Sequence, residues 1–97
     1  MKTQTLKMVT DRKTGNIIIK LYSLTFGDKH SSFEPFTEYW IFEDLNGIDD
    51  NYQIDDWKSD AVKTFYDIIK TAKAEGYIRA KDISIHKVAN KLTHVEC

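Results

Sequence analysis

The segment "IIIKLYSLTF", residues 17–26, constrains the fold of this chain more than any other stretch. It is rich in β-branched and aromatic residues, which pack well on a pleated surface, and it therefore predicts a β-strand. Because side chains alternate along a strand, apolar residues fall on both faces: Ile17, Ile19 and Leu21 on one, and Ile18, Tyr22, Leu24 and Phe26 on the other. Such a strand is expected at the centre of a sheet or beneath a helix.

Two further segments predict partner strands. Residues 3–10 alternate around Leu6 and Met8, and the polar stretch "DRKTGN" that follows is typical of a hairpin connection. After Pro35, "TEYWIFEDL" at 37–45 predicts a third strand, which ends at an Asn-Gly pair. Connections this short join antiparallel strands. The sequence therefore predicts a three-stranded antiparallel meander.

An amphipathic helix is predicted over residues 55–75. Asp55 or Asp56 is expected to cap its N-terminus, and Gly76 to follow its end in a left-handed conformation. Its apolar residues recur in one stripe at helical spacing: Trp57, Ala61, Val62, Phe65, Ile69 and Ala72. We expect this stripe to cover the sheet face that holds several of Ile17, Ile19, Leu21, Tyr39 and Ile41. The fold class is α+β.

The opposite face of this helix carries charges of alternating sign. Asp60, Lys63, Asp67 and Lys70 follow one another at three- and four-residue spacing. This pattern is typical of a solvent-exposed face with weak ion pairs, worth at most ~0.5 kcal/mol each.

The segment after residue 82 fits two structures. Ile83 and Ile85 alternate as in a strand. A helical repeat that starts at Ile85 is longer, and it continues through Val88, Ala89, Leu92 and Val95. The longer match favours a short helix over residues 84–94 with Ser84 as its cap, and a strand is the alternative.

Acidic residues are concentrated in the middle of the chain. Residues 34–60 hold nine acids against the single Lys58, although the whole chain has a net charge of only −1. Some of these acids lie in turns or at the predicted helix start, where they are stabilising. The acids are therefore either solvated turn and cap residues or part of a binding surface.

Aromatic residues lie among these acids, and aromatic side chains anchor protein interfaces. The sequence predicts a non-enzymatic protein-binding or inhibitor module, and its partner is expected to be a basic protein surface, such as that of a nucleic-acid-binding protein. The predicted partner-binding residues are Tyr39, Trp40, Glu43, Asp44, Asp49, Asp50, Tyr52, Asp55, Asp56 and Asp60.

The sequence argues against metal, cofactor and catalytic sites. Counted from Asp44, an EF-hand loop would place Ile48 at a ligand position and its glycine at the wrong one. His86, His94 and Cys97 match no common zinc spacing. The four glycines form no phosphate-binding motif. We therefore expect no cofactor, no metal and no enzymatic activity.

Two resemblances bear on function. The stretch "EGYIRAKDISIHKVANKL", residues 75–92, resembles the start of a helix-turn-helix module, although only "THVEC" follows where a recognition helix would begin. This resemblance implies the alternative function, nucleic-acid association through the basic residues Arg79, Lys81, Lys87 and Lys91.

In size and charge segregation, the chain also resembles small inhibitor or host-interaction proteins of phages and mobile elements. Some proteins of that type occupy a nucleic-acid-binding groove with carboxylates in place of phosphates. The resemblance implies this role, that of a DNA mimic, for the acids between Glu43 and Asp60.

The length and hydropathy of the chain predict its number of domains and its location. Ninety-seven residues suffice for one self-sufficient core, and no linker interrupts them, so we expect a single compact domain over residues 1–97. The longest apolar runs are "III" and "YWIF", whereas a membrane span needs roughly 18 residues. With a lone cysteine, the sequence predicts a cytoplasmic protein that does not enter membranes. It leaves the oligomeric state open.

Overall fold

The structure, a computed structural model, describes residues 1–27, 34–45 and 47–87. These residues form a small α+β domain, as the sequence predicts. Its elements in chain order are β1 (Lys2–Asp11), β2 (Ile17–Phe26), β3 (Phe36–Leu45), β4 (Ile48–Asp55), α1 (Lys58–Ala74), a 3-10 turn (Ala80–Asp82) and β5 (Ile83–Lys87).

All five strands belong to one antiparallel sheet in the order β4-β3-β2-β1-β5. The predicted central strand is confirmed, because β2 lies in the middle of this sheet. The predicted number of strands is wrong, because β4 and β5 extend the three-stranded meander at its two edges. Both additions use polar segments in which the sequence pattern of a strand is weak.

β4 occupies residues that the sequence assigned to turns and to the start of the helix. Leu45 pairs with Ile48, so β3 and β4 are joined by a two-residue connection, and Gly47 within it has a φ of +73°. An Asn-Gly pair favours this kind of tight hairpin because it tolerates positive φ. The chain therefore returns along β3 as a fourth strand.

β5 replaces the first part of the helix that the sequence favoured over residues 84–94. Asp11 pairs with Ile83 and Val9 with Ile85, so β5 hydrogen-bonds the outer edge of β1. Such pairing satisfies backbone groups that would otherwise remain open at the sheet edge. The strand alternative is thus correct for Ile83–Lys87. Residues 88–94 lie outside the described residues.

The core lies between α1 and one face of the sheet. As predicted, Ala61, Phe65, Ile69 and Ala72 are buried, and Ile19, Leu21 and Ile41 of the sheet are fully buried. Val62 and Tyr39 are partly buried against this cluster. The predicted place of Trp57 in the buried stripe is wrong, because its side chain is 72% exposed; of the five sheet residues, Ile17 is the one that stays outside the core, at 36% exposed.

The ends of α1 differ in how well the sequence predicts them. The helix begins at Lys58 with Trp57 at the N-cap position and no side-chain capping bond. The predicted caps are wrong because Asp55 belongs to β4. Gly76 does follow the helix with a φ of +82°, and it donates its N–H to the carbonyl of Lys73 at 3.1 Å. No helix in the described ranges is long and apolar enough to cross a bilayer.

Candidate protein-binding surface

Charge is distributed unevenly across the width of the sheet. β3 and β4 contain six acids and no base: Glu38, Glu43, Asp44, Asp49, Asp50 and Asp55. β1, β2 and β5 contain four lysines and only one acid, Asp11. Because β4 is an edge strand, negative charge collects on one side of the domain. We call these six acids, together with Asp56 and Asp60, the acidic edge.

Four residues of the acidic edge form two opposed pairs across the β3–β4 hairpin, one pair on each face of the sheet. Glu43 is directly opposite Asp50, and Asp44 is directly opposite Asp49. Like charges at directly opposed positions destabilise a sheet. Between described residues, no ion pair neutralises these side chains. Repulsion between like charges therefore lowers the stability of this hairpin.

The predicted partner-binding residues do not share one surface. Side chains alternate across a strand, and the β3–β4 register groups Tyr39, Glu43, Asp50 and Tyr52 with Ile41 on the helix side of the sheet. Trp40, Asp44 and Asp49 fall on the opposite side, which we call the open face.

On the helix side, Tyr52 holds Glu43 in place. The Tyr52 hydroxyl donates a 2.9 Å hydrogen bond to Oε1 of Glu43. Burial raises the pKa of Tyr52 well above its usual range, and the hydrogen bond to Glu43 and the charges of Glu43 and Asp50 raise it further. Tyr52 therefore stays protonated and fixes this carboxylate.

The remaining predicted acids lie at the far end of β4. Asp55 is about 20 Å along the strand from Asp49, at roughly 3.3 Å per residue. Asp56 and Asp60 are exposed beside the start of α1. The acidic edge thus forms a strip with a group of carboxylates at each end.

Trp57 belongs to this far group, although sequence reasoning placed it in the core. Its side chain is 72% exposed between Asp56 and the first turn of α1. Helical spacing from Ala61 made it look like a core residue, whereas the chain is still extended at residue 57. An exposed tryptophan among acids is a candidate interface anchor.

The open face carries aromatic residues that no described element covers. Tyr22 pairs with Trp40, and Lys20 pairs with Phe42, on adjacent strands β2 and β3. The Lys20 Nζ lies 5.1 Å from the ring centroid of Tyr22 and 5.8 Å from that of Phe42. The Tyr22 hydroxyl donates to Oδ1 of Asn51 at 2.8 Å, and burial raises the pKa of Tyr22. Lys20 therefore makes cation–π contacts with two rings of this surface.

A cleft of about 430 Å³ lies on the other side of the sheet, between α1 and β3. We call it the α1–β3 cleft. It is lined by Glu43, Leu45, Thr64, Asp67, Ile68, Thr71, Ala72, Glu75 and Tyr77. Sequence reasoning assigned Asp67 to a solvated helix face and missed this cleft. The spacing of Thr64, Asp67, Ile68, Thr71 and Glu75, one stripe beside the core stripe, is the signal that was present.

The basic residues predicted for the alternative function lie on the opposite side of the domain. Arg79, Lys81 and Lys87 are exposed, and Lys91 lies outside the described residues. Lys81 shares a surface depression with Arg12 and Lys13, and also with Asp11 and Asp82.

Metal-ligating side chains do not cluster in the part of the chain that the structure describes. Within residues 1–27, 34–45 and 47–87, no group of three or more His, Cys, Asp or Glu side chains is arranged to hold a metal ion. The ring of His86 instead lies 2.9 Å from Oγ1 of Thr10. His94 and Cys97 lie outside the described residues.

The comparisons with known proteins found no similar protein. No protein-family model matches the chain, and neither do the curated proteins or solved structures with which it was compared.

Proposed function

We propose that this chain is a non-enzymatic protein-binding module, and that it binds a basic protein surface through its acidic edge. One observation carries the proposal: acidic residues are cross-strand partners at two successive positions of one hairpin, Glu43 with Asp50 and Asp44 with Asp49. Repulsion between them costs stability in the free protein. A basic partner would relieve that repulsion, so the same arrangement favours the bound state.

Aromatic side chains next to these acids supply the apolar part of the proposed interface. Trp40 and Phe42 lie on the open face beside Asp44, and Trp57 lies at the far end of β4. Tryptophan is enriched among residues that dominate binding energy. Charge along the acidic edge then provides steering and specificity, which is its usual role in an interface.

The class of partner follows from the length and sign of the acidic edge. Carboxylates are spread over about 20 Å of an extended strand. A protein that binds nucleic acid presents a basic strip of this kind. In this proposal the acids take the place of phosphates in such a partner's groove, and the chain acts as an inhibitor or host-interaction protein.

Affinity capture with three versions of the chain tests the proposal. The baits are the native sequence, Asp49→Asn/Asp50→Asn, and the matched control Glu34→Gln/Asp82→Asn, which removes the same charge away from the acidic edge. A protein that binds the native and control baits and is lost from the Asp49→Asn/Asp50→Asn bait supports the proposal. Equal capture by all three baits contradicts it.

Nucleic-acid association is the second candidate, and the position of Arg12 favours it. This residue and Lys13, from the β1–β2 turn, come together with Lys81 beside the 3-10 turn. Arg12 is held there because its Nε donates a 2.7 Å hydrogen bond to the carbonyl of Ile83. Fluorescence anisotropy with labelled duplex DNA at low and high salt separates the candidates. Direct, salt-sensitive binding supports this second function and contradicts the phosphate-substitute role of the acids.

A further inference from the structure

We propose that the α1–β3 cleft is the specific pocket of this interface, and that it receives an arginine- or lysine-bearing segment of the partner protein. This inference rests on the proposed protein-binding function and deepens it, because it assigns the recognised side chain to a site outside the acidic hairpin. The occupant is a peptide segment in which a cationic side chain lies next to an apolar one.

The floor of the cleft is apolar. Leu45 and Ile68 are partly buried, Ala72 is 3% exposed, and the ring of Tyr77 forms a wall. An apolar floor of this kind accepts methylene groups or an aliphatic side chain by removing their surface from water. The volume of about 430 Å³ lies within the range of ordinary ligand pockets.

The charged groups of the cleft have one sign. Glu43 lies on the β3 side, and Asp67 and Glu75 lie on α1, while the lining includes no basic residue. No ion pair with another described residue neutralises them. The lining extends to Glu75, the C-cap residue of α1, where the helix dipole is negative and favours a cation. These charges select a positively charged occupant.

Two hydrogen bonds prepare the cleft in advance. Tyr52 holds the Glu43 carboxylate at 2.9 Å, and Asp55 holds the hydroxyl of Thr64 at 2.7 Å. Because these lining groups are already ordered, binding loses less conformational entropy there. A long cationic side chain fits the combination, since its stem can lie on Leu45 and Ile68 while its charge reaches the carboxylates.

Continuity with the acidic edge argues that the occupant belongs to the same partner. Glu43 lines the cleft and is directly opposite Asp50 on β4. A basic segment that lies along β4 therefore has one of its side chains within reach of the cleft. This geometry favours a segment of a protein over a free small cation.

Nuclear magnetic resonance with a short peptide tests the inference. The probe is acetyl-Leu-Arg-Leu-amide, and its control carries citrulline, which has nearly the same shape as arginine without the charge. The arginine peptide should shift the amide signals of Ile68, Thr71 and Glu75 and bind about tenfold more tightly than the citrulline peptide. Equal affinity for both peptides, or shifts confined to other regions, would overturn the inference.

Variants locate the binding and separate it from the proposed function. Asp67→Asn/Glu75→Gln should weaken the arginine peptide about tenfold, and Thr71→Arg should abolish binding by placing a cation in the cleft. The same spectra show whether each variant is folded. Asp49→Asn/Asp50→Asn should change peptide affinity less than twofold.

The two ideas fail in different ways. If Asp49→Asn/Asp50→Asn loses the captured protein and the cleft does not bind the peptide, the proposed function stands and this inference is wrong. If the cleft binds arginine peptides and no captured protein depends on Asp49 and Asp50, the acidic-edge proposal is wrong. Free arginine at the same concentration is the remaining arm: binding as tight as that of the peptide would contradict a peptide segment as the occupant.

Discussion

Thr64 donates a 2.7 Å hydrogen bond from Oγ1 to Oδ2 of Asp55, which ties the second turn of α1 to the last residue of β4. Asp55 is one of the two residues that the sequence assigned to the helix cap. Its carboxylate bonds to a side chain within the helix, and the N-cap position falls to Trp57, which makes no capping bond. The bond therefore joins the helix to the far end of the acidic edge.

Thr64→Val is expected to lower the free energy of unfolding by about 1 kcal/mol. Hydrogen bonds to charged groups contribute about 1.5–3 kcal/mol, and partial exposure reduces this value. The matched control is Thr71→Val on the same helix, whose hydroxyl makes no side-chain bond to described residues. Urea denaturation measures both variants, with Asp55→Ala to complete a double-mutant cycle. Equal losses for the two threonines would show that the bond contributes nothing.

Phe65→Ala is expected to destabilise the fold by roughly 3–5 kcal/mol, through lost burial and the cavity that remains. Phe65 projects from α1, has no exposed surface and belongs to the same core cluster as the fully buried Ile41 and Leu21 of the sheet. The control is Ile48→Ala, because Ile48 is 73% exposed on the edge strand; its cost should be below about 1 kcal/mol. A similar small cost for Phe65→Ala would mean that α1 packs elsewhere.

Alkaline pH should destabilise the protein through Tyr52. Its pKa is raised in the folded state by burial and by Glu43, so the folded protein holds this proton more tightly than the unfolded chain does. The resulting stability is complete below the ordinary tyrosine pKa of about 10 and is lost as pH rises above it. Denaturation from pH 8 to 11 should show a steeper loss for the native protein than for Tyr52→Phe. Parallel curves would exclude a role for Tyr52.

Trp57→Asn should stabilise the protein and weaken partner binding. Asparagine is a favoured N-cap residue, so capping α1 should add about 0.5–1 kcal/mol. Removing an exposed aromatic anchor should weaken affinity for the captured protein about tenfold or more. Trp57→Phe is the control, since it keeps an aromatic ring and adds no cap. A stabilised Trp57→Asn variant with unchanged affinity would place Trp57 outside the interface.

Asp49→Asn/Asp50→Asn should slow association with the captured protein, and by removing the repulsion from Glu43 and Asp44 it should raise the free energy of unfolding slightly, by less than ~0.5 kcal/mol. Exposed charges act over about 8 Å at physiological salt, so the native association rate should fall as salt rises. Surface plasmon resonance at several salt concentrations measures this rate. The variant should show a weaker salt dependence than Glu34→Gln/Asp82→Asn. Identical salt dependence would mean that the hairpin acids are only solvated residues of an edge strand.

Elements whose residue pattern lies within one short segment were predictable from the sequence. The apolar content of residues 17–26 predicted the central strand, and helical spacing at Ala61, Phe65, Ile69 and Ala72 predicted the buried helix face. Local spacing at Ile83 and Ile85 offered a strand as one of two alternatives for β5 but could not select it, because its pairing partner is β1, at the other end of the described chain. β4 is an edge strand with mostly exposed side chains, so burial imposes no clear alternation on its sequence.

The sequence identified the acidic residues of the candidate surface, but it did not show how the fold arranges them. Counting charges identified Glu43, Asp44, Asp49 and Asp50, and all four lie on one hairpin. The stripe at Thr64, Asp67, Ile68, Thr71 and Glu75 marks one wall of the α1–β3 cleft, but which strand forms the other wall depends on how the helix crosses the sheet. The exposure of Trp57 also follows from a boundary, because the chain is still extended there and becomes helical one residue later.

The pairing of β1 with β5 has a consequence during protein synthesis. The ribosome makes β1 first, and Ile83, the partner of Asp11, is the 72nd residue added after it. At about 5–20 residues per second, roughly 4–14 s separate the two strands. The β1–β4 meander can form in that interval with the outer edge of β1 unpaired. A nascent chain of this protein therefore presents an open strand to chaperones and to neighbouring nascent chains until β5 is made.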